Sequence, residues 1–100
     1  MRRAAKKDGN QTQIVRELRA LGFRVDIVHR LKKMYDLVVT GRTGAVSDWG
    51  VAVATVRVEL KLPGERLSPD EQEYWDAEPF PETLIIATCT EDILRWYGRV

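Results

Sequence analysis

The chain is 100 residues long, 44% hydrophobic and 31% charged, which fits one small domain around one core. Lys plus Arg number 16 and Asp plus Glu 15, and the resulting net charge of +1 selects no partner by itself. The apolar runs, such as Leu84 to Ala87, are too short to span a bilayer, and Arg2, Arg3, Lys6 and Lys7 are not followed by the apolar stretch of a signal peptide. No membrane partner and a cytoplasmic location are therefore expected. Cys89 is the only cysteine, which excludes an internal disulfide, a cysteine-based zinc site and a thiol redox pair.

Residues 1–9 are too charged to pack and read as a flexible basic arm, leaving 10–100 as the single folded domain. Asn10 can cap a first helix in which Ile14, Val15, Leu18 and Leu21 form one apolar stripe ending at Gly22. Phe23, Val25 and Ile27 then alternate with their neighbours as a first strand. Tyr35 to Thr40 reads as a second, closed by a Gly41-Arg42-Thr43-Gly44 turn. Ser47-Asp48-Trp49-Gly50 looks like a loop tip. Val51 to Leu62 forms a long strand with Val56, Val58, Leu60 and Leu62 on one face and Arg57, Glu59 and Lys61 on the other. Ser68-Pro69-Asp70-Glu71 carries a capping Ser, a Pro suited to the first helical position and a Glu placed for a capping box, so a second helix starts here. Thr83 to Thr88 is a short strand expected to be buried on both faces, and Thr90 caps a last helix running to Gly98. The order α-β-β-β-α-β-α implies a mixed sheet flanked by helices.

Charge is unevenly placed along this order. Residues 1–33 hold 10 basic and 3 acidic side chains, whereas residues 34–100 hold 6 and 12, so the two parts carry +7 and −6. Phosphates docking on Arg2, Arg3, Lys6, Lys7, Arg30, Lys32 and Lys33, with carboxylates collecting a metal elsewhere, would account for the split; a solvated surface is the alternative.

Charged residues on strands are expensive unless exposed or used, and Asp36, Glu59 and Lys61 stand out for that reason. Glu59 and Lys61 project from one face about 7 Å apart, and an Asp36 on the neighbouring strand can bring its carboxylate to that of Glu59. Two carboxylates and the backbone carbonyl between Glu59 and Lys61 make a hard oxygen site of the kind Mg²⁺ prefers. A solvated face with a Glu59–Lys61 salt bridge is the competing reading of the same spacing.

Lys7-Asp8-Gly9-Asn10-Gln11 with Ile14-Val15, Asp36-Leu37-Val38-Val39, Val58-Glu59-Leu60-Lys61 and Leu67-Ser68-Pro69-Asp70-Glu71-Gln72 together resemble the small, often phage-encoded nucleases of the PD-(D/E)XK superfamily, VRR-NUC type. The resemblance covers nearly the whole chain and implies an αβββαβ restriction-endonuclease-like core plus a C-terminal helix. It makes Asp36 and Glu59 ligands of Mg²⁺ or Mn²⁺, Leu60 a ligand through its backbone carbonyl, Lys61 the motif lysine, and Gln72 the polar residue that the following helix turns toward the site. Tyr35 stands where the name-giving proline usually does, which weakens the motif more than the chemistry. Asn10 is a second-tier site residue, although a helix cap explains it equally well. His29 reads as a surface or phosphate contact. Trp75, Trp96, Tyr74 and Tyr97 have the spacing of core or dimer packing, and Trp49 that of an exposed loop tip.

The expected activity is metal-dependent hydrolysis of DNA phosphodiester bonds, selective for a junction, flap or nick. So small an enzyme covers little of a duplex, and a homodimer would supply a wider surface and two sites. The competing class is a nucleic-acid-binding module with the same fold that does not cut.

Overall fold

The computed structural model describes residues 2–28, 35–47 and 50–99, without the side chains of 2–9, 45–47 and 51. Within them α1 spans Arg2–Ala20, β1 Arg24–Ile27, β2 Leu37–Ser47, β3 Gly50–Leu60, α2 Pro69–Asp76, β4 Leu84–Ala87 and α3 Thr90–Trp96, with a 3-10 turn at Pro81–Thr83. The strands lie in the order β1-β2-β3-β4. Neighbours among the first three are antiparallel, and β4 joins β3 in parallel after the chain has returned through α2. The domain is a small mixed α/β unit with a four-stranded mixed sheet and three helices. None of those helices is long and apolar enough to cross a membrane, among the described residues.

Alternation along the strands assigns the two faces of the sheet. Pairing sets Val25 against Val39, Val39 against Val56 and Leu37 against Val58, so one face is a continuous apolar row. Ile14, Val15 and Leu18 of α1 and Ile93 and Tyr97 at the other end of the chain close over it. Each such side chain contributes about 1.5–3 kcal/mol when fully buried. The opposite face carries Arg57, Glu59 and Lys61, and α2 lies against it through polar contacts.

Several local expectations give way to tertiary contacts. The first helix starts at Arg2, so residues 2–9 extend it instead of forming a separate arm, and Asn10 is a half-buried interior position on the side of Ile14 and Leu18, not a cap. Gly41-Arg42-Thr43-Gly44 is no turn, because β2 runs through it to Ser47, with its register against β3 shifting between Arg42 and Val46. Both glycines answer close approaches: a Cβ at Gly41 would fall on the Phe23 ring, and one at Gly44 on the carbonyl oxygen of Gly98. The expected loop tip lies where Ser47 pairs with Gly50, and its residues 48–49 are outside the described residues. Edge strand β4 is not buried throughout: Leu84 and Ile86 share a face, and Leu84 is buried while Ile86 remains 43% exposed. Finally, α3 is capped at Cys89, while the Thr90 hydroxyl donates to Glu17 of α1.

Candidate active site

The end of β3 places three charged groups in a confined space. Leu37 pairs with Val58 at the end of the β2–β3 ladder, and Asp36, just before β2, lies close enough to Glu59 for its charge to act on that carboxyl. The Asp36 N–H donates to the Val58 carbonyl at 2.8 Å, and its Oδ2 accepts the Leu60 N–H at 2.7 Å. The N–H and C=O of one strand residue leave on the same side, so the Leu60 carbonyl also points toward Asp36. Glu59 is 2% exposed and Lys61 7%. The expected Glu59–Lys61 pair is present, with Lys61 Nζ 3.5 Å from Glu59 Oε2, but it lies buried and not on a solvated face.

The helix contributes Glu71, a residue that sequence reasoning assigned only to capping. Its Oε1 accepts the Lys61 ammonium at 2.8 Å and also the backbone N–H of Ser68 at 2.8 Å. The Glu71 N–H donates to Ser68 Oγ at 3.2 Å, which completes the capping box. Gln72 is not brought to this cluster: it is exposed, and its amide donates to Asp76 one turn along. Adjacent helix positions point about 100° apart, so once the box turns Glu71 inward Gln72 is turned away.

The electrostatics follow from this crowding. Burial, then the charge of Asp36, then Glu71 push the Glu59 carboxyl up to about 8, and Lys61 offsets only part of that. Burial would also raise Glu71, yet hydrogen bonds from Lys61, the Ser68 backbone and Glu59 hold it down to about 2. Burial disfavours the Lys61 ammonium, but Glu71 and Glu59 outweigh it and raise its pKa.

Even with Glu59 holding its proton at neutral pH, the charges of Asp36 and Glu71 exceed that of the one ammonium. No group of three His, Cys, Asp or Glu suited to holding a metal occurs among the described residues. A cation here would therefore take the two carboxylates of Asp36 and Glu59 and the Leu60 carbonyl, with water completing its shell. That set of hard oxygen donors suits Mg²⁺ or Mn²⁺.

Of the other expected site residues, Asn10 has no hydrogen bond to this cluster among the described residues. The chain from Arg2 to Lys7 is helical, with its side chains outside the described set, and His29, Arg30, Lys32, Lys33 and Trp49 lie outside the described residues. A signal for Glu71 was nevertheless present in the sequence. Glu71 and Tyr74 stand at i and i+3 on one helical face, with Glu78 just beyond the helix end, complementary to Lys61 and Arg57 on one strand face.

The chain matches no protein-family model, no curated protein and no solved structure.

Proposed function

We propose that this domain is a metal-dependent endonuclease that hydrolyses phosphodiester bonds in DNA, with selectivity for a junction, flap or nick, and that it acts as a homodimer. The observation that carries the reading is the grouping of Asp36, Glu59 and Lys61 at one end of the sheet, with Asp36 near enough for its charge to raise Glu59 and Lys61 in contact with Glu59. The order αβββαβ and the E-x-K strand agree with a PD-(D/E)XK nuclease of the VRR-NUC type, with a restriction-endonuclease-like core.

Asp36 and Glu59 hold Mg²⁺ or Mn²⁺ with the help of the Leu60 carbonyl. When bound, the cation supplies Lewis acidity toward the phosphate and lowers the pKa of water. Burial beneath α2 makes each charge in the site act through a lower dielectric than bulk water provides. Lys61, fixed beside Glu59, orients the attacking water and stabilises the negative charge that grows on the phosphate oxygens. Asp36 is itself held by the Leu60 N–H, which commits one of its oxygens to the strand, and the other would serve as the ligand.

Incubation of the purified protein with labelled duplex, flap and four-way-junction DNA tests the reading, with Mg²⁺, Mn²⁺ or EDTA present. Cleavage with either metal and none in EDTA is the expected result. Metal binding in calorimetry without cleavage of any of these DNAs would favour the non-cleaving module instead.

A further inference from the structure

The strongest feature that this reading leaves unused is a shared atom. Glu71 Oε1 closes the cap of α2 by accepting the Ser68 N–H, and the same oxygen accepts the Lys61 ammonium, both at 2.8 Å. Ser68 Oγ in turn accepts the Glu71 N–H, so Glu71 is held through its backbone by the Ser68 hydroxyl and through its carboxylate by the Ser68 N–H and Lys61. A long, buried lysine has several rotatable bonds and keeps one geometry only if its head is tied. In this domain the tie is provided by a helix cap.

We infer that Ser68 is a positioning residue for Lys61, acting through Glu71: the capping box of α2 and the placement of the site lysine form one cooperative unit. Ser68 itself has no hydrogen bond to Lys61, Glu59 or Asp36 among those described, so its effect on the site runs through Glu71. The inference deepens the nuclease reading and rests on it for its kinetic consequence, whereas its structural consequence can be read without any activity. Loss of the Ser68 hydroxyl releases the Glu71 N–H and frees the first turn of α2, and the Glu71 carboxylate then no longer holds Lys61 in one place. Threonine at 68 retains the hydroxyl and the cap.

The test compares Ser68→Ala, Ser68→Thr and Asp92→Ala in the full chain, below the melting temperature of each variant. Asp92, in the first turn of the distant α3, accepts the Thr88 N–H just before that helix at 2.9 Å, so its variant removes a side-chain bond at a helix start without touching the site. The first readout is reductive methylation with formaldehyde and a borane reductant, with Lys61 followed by peptide mass spectrometry. Lys61 should react at least fivefold faster in Ser68→Ala than in wild type, Ser68→Thr or Asp92→Ala. The second readout is cleavage of junction DNA with Mn²⁺, in which Ser68→Ala should lose about tenfold in kcat with KM within twofold, and Ser68→Thr should restore it. Equal protection of Lys61 in wild type and Ser68→Ala, or equal labelling in Ser68→Ala and Asp92→Ala, would overturn the proposal. If wild type cleaves no DNA, the nuclease reading falls, and the methylation result still decides the coupling.

Discussion

Two charged clusters sit under α2 on the same face of β3, two residues apart, and they are built on opposite principles. Arg57 donates to Glu78 at 2.6 Å, to the Tyr74 hydroxyl at 3.0 Å and to the Thr83 hydroxyl at 2.8 Å. Its guanidinium also lies 5.8 Å from the centre of the Tyr35 ring. One cation meets one carboxylate, and the hydrogen bond from Arg57 holds Glu78 below the usual carboxylate range. At the end of the strand, by contrast, Glu59 and Glu71 share the single ammonium of Lys61 while Asp36 adds its charge beside Glu59, and Glu59 is pushed up to about 8. The balanced cluster ties α2 and the 3-10 turn to the sheet and is complete as it stands. In the unbalanced one the crowding is relieved at neutral pH by a proton on Glu59, which a bound cation would displace.

Substitution can separate the two clusters. Asp36→Asn and Glu59→Gln preserve side-chain size and remove a charge from the unbalanced cluster. Each should lower DNA cleavage by about 10³-fold while circular dichroism stays that of wild type. Wild-type cleavage by both variants would remove these residues from the site. Lys61→Ala should keep divalent-metal binding, measured calorimetrically, yet lose about 10²-fold in single-turnover rate at saturating metal, since the lysine acts on charge that develops in the transition state.

The balanced cluster should respond in the reverse sense. Arg57→Ala is expected to lower the melting temperature by something of the order of 10 °C while kcat per folded molecule stays within twofold. A catalytic loss exceeding the unfolded fraction would place Arg57 in the site. The smallest effect is a pH signature of Glu59, which binds its proton more tightly folded than unfolded. Its contribution to stability is full below its ordinary value of 4.5 and declines as pH rises toward about 8. The metal-free protein should lose melting temperature across that interval, and Glu59→Gln should flatten the loss, by about 5 °C at its upper end. Glu71 works in the other direction, its contribution disappearing as pH falls from 4.5 toward about 2, so it leaves this interval undisturbed.

Asp36, Glu59 and Lys61 were legible because a period-two strand with charge on one face leaves few ways to arrange them, and the charge of Asp36 does act on Glu59, although the β2–β3 register ends at Leu37 and Val58, one position short of that pair. Glu71 was legible as a cap and missed as a site residue, because local sequence shows which backbone group a carboxylate can reach but not which strand side chain shares it. The glycines at 41 and 44 misled for a related reason. A glycine selected to make room for the Phe23 ring or the Gly98 carbonyl is identical in sequence to one selected for a turn. Ile86 looked like a core residue because nothing local tells an edge strand from a central one.

Tyr97 carries a consequence for how quickly this fold can be reached. Its hydroxyl lies 2.9 Å from the Val39 carbonyl and 2.8 Å from that of Ala54, contacts that span 58 and 43 residues. The β2–β3 hairpin closes a short loop and can form on its own timescale, whereas α3 has to return across half the chain before Tyr97 and Ile93 seal the core. Hairpin formation and core closure are thus separate kinetic events. Until the second occurs, the strand edges and apolar face of the hairpin stay open to intermolecular pairing, so refolding yield should fall as protein concentration rises.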